Sequence, residues 1–219
     1  MLKRVIRFAA KDNRGITGLE TAIILIAFVV VAAVFAYTAL SAGLFSTQKS
    51  QEAIYAGLEE AQSTMELKGG IIATANQTGS NGTVGQLSFV VSKVLGGEAI
   101  DFTPPQQRSD NNGTANSSTS QNTVVITYTD RQQAVEDLYW TLQQLGNADE
   151  DYLLEDNERF QITVGSAIVT TDGGNLCDAL NPDITVDTKF DLTLMSAIGA
   201  VLTIERTMPG YIDQIINLH

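Results

Sequence analysis

A run of 28 residues without a charged side chain, from Thr21 to Gln48, constrains the fold of this chain most. Its first part, Ala22 to Ala36, is continuously apolar, and about 20 apolar residues suffice for a helix to cross a bilayer. Residues 1–15 carry five basic side chains and one acidic side chain, a local charge of 5 − 1 = +4. The positive-inside rule therefore predicts a cytoplasmic N-terminus, with the rest of the chain outside the cell.

The body of the chain is strongly acidic. The formal net charge is -12, so the residues after position 15 contribute -12 − 4 = -16. A surface of this sign repels nucleic-acid phosphates and keeps exposed domains soluble. We therefore exclude nucleic acid as a partner. The one cysteine, Cys177, cannot form an intramolecular disulfide and is expected to be a small buried thiol.

Helical spacing continues beyond the apolar run. Ile54, Leu58, Ala61 and Met65 are separated by 4, 3 and 4 residues, and no proline occurs in positions 1–103. This periodicity predicts one helix that ends near Lys68. The pair Gly69-Gly70 is then expected to cap it.

From residue 69 onwards, apolar and polar residues alternate with a period of two, which is typical of strands with one buried face. Predicted strands cover 87–94, 123–129, 159–164, 167–171, 184–194 and 200–207. The segment Arg131 to Leu145 is expected to be an inserted helix or an irregular loop. Because no βαβ rhythm occurs, residues 69–219 are predicted to form an antiparallel β-sandwich. The predicted fold class is α+β: a long N-terminal hydrophobic α-helix followed by this sandwich.

Two polar segments, Asn76 to Gly85 and Ser109 to Asn122, are predicted to be exposed loops because they cannot form a core. They contain four Asn-x-Ser/Thr sequons. The acceptor residues are Asn76, Asn81, Asn112 and Asn116. Exposure and export make N-glycosylation of at least one of them the expected outcome, although loops of this composition also generate sequons by chance.

Acidic residues cluster at 149–156 and 172–178, with oxygen ligands of the kind that calcium prefers. Asp172 and Asp178 are the weak candidates for such a site, and a solvated acidic loop is the alternative interpretation. Catalytic residues are not predicted, because the single histidine is the terminal His219 and no phosphate-binding glycine loop occurs. Trp140, next to Tyr139, is expected in the core or at a subunit contact.

The junction before the apolar run is the most specific motif in the chain. A basic leader precedes Gly15, and the lone carboxylate of Glu20 is the fifth residue after that glycine. This junction resembles the class III signal peptides of type IV pilin-like proteins. The resemblance implies that a membrane peptidase of the prepilin type cuts between Gly15 and Ile16 on the cytoplasmic side. Residues 16–219 then remain, 219 − 15 = 204 residues that include the apolar helix, here 16–68.

An apolar helix that leaves the membrane must bury its surface against equivalent helices. Head-to-tail contacts that do not close produce a helical polymer. Small residues would let neighbouring helices approach closely. They are Ala27, Ala32, Ala33, Ala36, Ala39, Ala42 and Gly43. The chain is therefore expected to form a filament through residues 16–68.

Glu20 has two interpretations. The pilin-like resemblance implies that it faces the new amino group of Ile16, in its own or a neighbouring subunit, and sets the axial register. Alternatively, it lies at the membrane surface, where the dipole of the helix start favours a carboxylate.

The segment Ile16 to Ala36 resembles the mature start of archaeal flagellins (archaellins), and Gly199 to Pro209 resembles their C-terminal strand. The resemblance implies an extracellular archaellum filament for swimming, built from copies of this chain and other filament subunits. It further implies an immunoglobulin-like outer domain, N-linked glycans, a precursor in the cytoplasmic membrane, and a membrane platform with a rotary motor. An archaeal adhesion pilin and a membrane-anchored extracellular binding domain are the alternatives.

Overall fold

The computed structural model of the chain describes residues 14–62, 64–94, 98–197 and 199–218. Most of the predicted signal peptide, residues 1–13, and His219 lie outside the described residues. The chain divides into two compact units, Met1–Tyr55 and Ala56–His219.

Helix α1 spans Arg14–Gln62 and contains the whole charge-free run. The prediction that it continues to Lys68 is wrong, because strand β1 already begins at Met65. Met65 lies at a helical spacing from Leu58, but its side chain is buried in the β core. Burial in the core therefore decides the conformation there, and the predicted boundary at residues 68 and 69 moves to residues 62–65.

A five-stranded sheet has the order β11-β1-β2-β8-β6. Its strands are β1 (Met65–Gln77), β2 (Thr83–Lys93), β6 (Trp140–Leu145), β8 (Arg159–Val164) and β11 (Ile215–Leu218). All of its pairings are antiparallel. Strand β1 directly follows the helix in sequence and has hydrogen-bonded neighbours on both sides.

A second sheet has four strands in the order β10-β9-β4-β5. They are β4 (Val125–Asp130), β5 (Ala134–Val135), β9 (Lys189–Met195) and β10 (Leu202–Thr207). A short antiparallel pair joins β3 (Ile100–Asp101) to β7 (Leu153–Leu154), and a four-residue helix α2 covers Leu176–Ala179. The predicted α+β class, a long helix followed by antiparallel sheets, is confirmed.

The two larger sheets contribute to one hydrophobic cluster. Phe102 packs edge-on against Trp140 and Phe160, with ring centroids 6.2 Å and 5.8 Å apart. Tyr128 stacks on Phe190 at 5.8 Å. Trp140 is fully buried, so its place is the core rather than a subunit contact.

Three sequence predictions in this domain are corrected. Residues 131–145 contain strands β5 and β6 rather than an inserted helix, because Trp140 pairs with Val164 and alternates inward with Leu142. Residues 167–171 form a turn in which Thr170 has a φ of 57°. The first part of the predicted strand 184–194 is irregular, and β9 begins only at Lys189.

The two polar segments are also less uniform than predicted. Residues 76 and 77 still belong to β1, and β2 already starts at Thr83, so the first segment is a short hairpin turn. In the second segment Gly113 and Ala115 are buried, and Thr114 forms a bridge with Leu138. The exposed-loop prediction therefore holds for parts of each segment.

Candidate assembly surface

The main exposed apolar surface of the chain is helix α1. All of its side chains from Gly18 to Leu58 are exposed, and those of Phe28 and Phe35 are 73% and 71% accessible. An 18-residue window within this 41-residue segment has a mean hydropathy of 2.8, and the segment is long and apolar enough to cross a membrane. Because residues 22–36 are apolar without interruption, the helix is apolar on every side. A helix of this kind requires burial in lipid or in protein.

Three threonine hydroxyls of α1 are satisfied by the helix itself. The Oγ1 atoms of Thr21, Thr38 and Thr47 donate to backbone carbonyls three or four residues earlier, at 3.0, 2.9 and 2.9 Å. A hydroxyl that donates along its own helix needs no donor or acceptor from a neighbour. These residues therefore do not interrupt the apolar surface. The sequence interpretation missed this role, which threonine in a charge-free helix could have signalled.

Charged groups flank the charge-free run, residues 21–48, at both ends. Glu20 is exposed on α1, two residues before the continuous apolar run begins at Ala22. Lys49 and Glu52 form an ion pair of 2.6 Å at the other end. Gly15 and Ile16, the predicted cleavage site, lie in the first turn of α1.

The backbone of α1 is accessible at three of its glycines. Apart from the adjacent backbone of the helix, no heavy atom lies within 4 Å of a Cβ atom built on Gly18, Gly43 or Gly57. Small residues at such positions allow a second helix to approach the backbone closely.

The four sequons differ in accessibility. Asn76 and Asn81 are exposed, whereas Asn112 and Asn116 are half-buried. The side-chain oxygen of Asn112 accepts hydrogen bonds from the N–H and the hydroxyl of Thr114, at 3.1 and 2.8 Å. The amide of Asn112 is therefore tied to its own turn.

Asp178, a candidate calcium ligand, is hydrogen-bonded within the chain. Its Oδ2 accepts from the backbone N–H groups of Asn175, at 2.8 Å, and Thr170, at 2.7 Å. Asn175 caps α2 in return, and the Asn-x-x-Asp spacing is a capping-box signal that the sequence already contains. Asp172 is exposed in a left-handed turn. In the part of the chain that the structure describes, no three His, Cys, Asp or Glu side chains form a metal-sized group. Calcium binding stays a prediction.

Cys177 is a half-buried thiol whose Sγ donates to the carbonyl of Val84 at 3.4 Å. Burial raises its pKa, and the neighbouring carboxylates of Asp183 and Asp178 raise the pKa further. A thiol with a raised pKa is a poor nucleophile at neutral pH.

The sequence as a whole matches a known family. The profile described as archaeal-type flagellin covers residues 15–206, most of the chain. The chain belongs to the archaeal-type flagellin family. It is therefore a structural subunit of the extracellular archaellum filament and not an enzyme, as the sequence predicted.

Similar proteins support this assignment along nearly the whole length of the flagellin. "Probable flagellin 2" of Archaeoglobus fulgidus is 35% identical over 205 residues, which cover 91% of each chain. "Probable flagellin 1" of the same organism is 33% identical over 213 residues, covering 95% of this chain and 96% of the relative. A solved structure, the archaeal flagellum of Methanospirillum hungatei strain JF1, is similar with a TM-score of 0.57 and 28% identity. That similarity covers 92% of this chain and 98% of the other.

Proposed function

We propose that this flagellin is made as a precursor in the cytoplasmic membrane, is cut between Gly15 and Ile16, and then polymerises through α1. A signal peptidase of the prepilin type would make the cut. The observation that carries this proposal is the fully exposed apolar surface of α1 between Gly18 and Leu58.

The magnitude of that surface supports the proposal. Eighteen large apolar side chains between Leu19 and Leu58 are exposed. Burial of each contributes about 1.5–3 kcal/mol, so keeping α1 in water would cost on the order of tens of kcal/mol. Lipid and other copies of α1 are the two environments that remove this cost. Since lipid is as apolar as the filament core, work at a membrane platform with a rotary motor would drive the transfer from one to the other.

N-terminal sequencing of purified filaments tests the processing step. We expect the mature chain to begin at Ile16, because the basic leader must be removed before its charges can enter an apolar bundle. Filament subunits that begin at Met1 would contradict the proposal and favour a permanently anchored extracellular domain.

Glu20 is proposed to set the axial register by facing the amino group of Ile16, in the same or a neighbouring subunit. A carboxylate in an apolar bundle needs such a partner, because burial of an unpaired charge is costly. We expect Glu20→Gln to insert into the membrane normally and to form few or no filaments, counted by electron microscopy of cells. Glu52→Gln, on the same helix but outside the apolar run, is the matched control and should assemble. Normal filament numbers in the Glu20 variant would leave only the helix-dipole role.

The sequons in the outer domain are proposed to carry N-linked glycans. Exposure of Asn76 and Asn81 on the first hairpin supports these two as the principal sites. A glycan there would extend into solvent and add polar surface to a filament whose interior is apolar.

A further inference from the structure

The five-stranded sheet carries a groove of about 560 Å³ whose role neither the fold nor polymerisation through α1 explains. We call it the Arg159 groove. It is lined by Lys68, Gly69, Val90, Leu145, Gly146, Asn147, Asn157 and Arg159.

A bulge in β1 forms one wall of the Arg159 groove. Lys68 pairs with Val90 and Ile72 pairs with Ser88, so three residues of β1 lie opposite one residue of β2. Gly69 has a φ of 86° at this point. Bulges of this type redirect neighbouring side chains. The glycine pair predicted to end the helix therefore shapes this groove instead.

The opposite wall is built from two turns. Gly146 follows β6 with a φ of 78°, and Asn157 precedes β8 with a φ of 71°. Left-handed backbone thus occurs at three positions around one groove. An asparagine in this conformation is tolerated because its short polar side chain can hydrogen-bond locally.

The charge of the groove is opposite to that of the domain around it. Residues 64–218 contain 7 basic and 20 acidic side chains, a balance of 7 − 20 = -13. The groove itself is nevertheless lined by two cations, Lys68 and Arg159. The carboxylates of Glu66 and Glu158 line the depression that adjoins it on the side of these two cations. Lys68 also pairs with Glu66 at 2.5 Å. Arg159 is exposed and makes no ion pair within the part of the chain that the structure describes.

We infer that the Arg159 groove receives a carboxylate of a second copy of this chain in the filament. A guanidinium binds a carboxylate through two parallel hydrogen bonds, which makes arginine suited to this role. Acidic domains that are packed side by side repel one another, and a carboxylate placed on Arg159 offsets part of that repulsion. The groove on one copy and the carboxylate on the next would lie on different surfaces of the domain. Such a heterologous contact can build a helical polymer. The inference rests on filament assembly.

Zero-length carbodiimide cross-linking of purified filaments identifies the partner, because it joins the Lys68 amine to a carboxylate in direct contact. We expect a cross-linked dimer in which the Lys68 peptide is joined to an acidic peptide of another copy. Lys68→Gln should remove this dimer. Lys189→Gln should not, although Lys189 also lies beside a carboxylate, that of Glu205 at 2.7 Å. Links from Lys68 to Glu66 alone, with no dimer, would overturn the inference.

Substitution of Arg159 measures the contribution of the contact. At low salt, we expect Arg159→Gln filaments to release up to about fivefold more free subunit than wild type, the upper range for an exposed ion pair. The difference should vanish near 1 M salt, where the screening length is about 3 Å.

Arg131→Gln is the matched control, since Arg131 is another exposed arginine without an ion pair in the described part of the domain. Intact Arg131→Gln filaments would show that assembly itself is unaffected by losing one arginine. Equal release by the two variants at low salt would refute the role of the groove while leaving polymerisation through α1 standing.

Discussion

Asp178→Asn separates a structural role of this carboxylate from a role in calcium binding. Its Oδ2 accepts two backbone N–H groups, from Asn175 and Thr170. Asn175 is 1% exposed, so its N–H cannot turn to water. Hydrogen bonds to a charged acceptor contribute about 1 kcal/mol more than neutral ones. Two of them predict a loss of about 2 kcal/mol in the free energy of unfolding.

The fluorescence of Trp140 provides the assay. It is the single tryptophan of the chain and lies fully buried in the β core, so its emission reports unfolding of this domain in the full-length protein in detergent. The expected loss corresponds to a melting temperature lowered by roughly 4–8 °C. Asp172→Asn is the matched control and should melt like wild type, because Asp172 is exposed and asparagine also tolerates its left-handed backbone.

Addition of a calcium chelator distinguishes the hydrogen-bonding role of Asp178 from a role in calcium binding. If the hydrogen bonds are responsible, the melting temperature of Asp178→Asn is lowered by the same amount with and without chelator. The melting temperature of the wild type then does not change when chelator is added. A wild type that falls to the level of the variant on chelation, with Asp172→Asn behaving like Asp178→Asn, would refute the reasoning and establish a calcium site.

Two further predictions concern the outer domain. Tyr128→Phe should lower the free energy of unfolding at pH 7 by about 1–2 kcal/mol, because the Tyr128 hydroxyl donates to Asp130 at 2.8 Å. Burial raises the pKa of Asp130, but hydrogen bonds from Gln132, Gln133 and Tyr128 outweigh it and hold the pKa below its usual value. The stability lost in Tyr128→Phe should therefore shrink as pH falls below about 4, the usual pKa of this carboxyl in the unfolded chain, and through its lower pKa in the folded state. A loss that stays constant in acid denaturation curves would contradict this. Glycopeptide mass spectrometry should find the exposed Asn76 and Asn81 more fully occupied than the half-buried Asn112, and the reverse order would contradict the accessibility argument.

The features that could be predicted from the sequence are those that depend on local pattern. The charge-free run predicts α1, and strict alternation predicts β8 at residues 159–164, as observed. The same local reasoning fails at Met65, whose spacing fits a helix but whose side chain is buried with the sheets. Burial of that kind depends on residues distant in sequence.

The Arg159 groove could not be predicted from the sequence, because it depends on strand pairing between distant residues. One wall of the groove is the bulge at Gly69, where the register between β1 and β2 shifts. Its opposite wall comes from residues 145–159. A glycine pair after a predicted helix indicates a cap equally well, so its role could not be assigned before the strand register was known.

The position of β1 has a mechanical consequence. In the proposed filament, which is held together through α1, a load on that helix would first reach the sheets at β1, because β1 begins at Met65. This strand is not at an edge: β2 flanks it on one side and β11, the last strand of the chain, on the other. A load on β1 would thus be shared between two hydrogen-bonded ladders instead of being carried by one. Strand β11 would therefore reinforce the point at which load enters the outer domain.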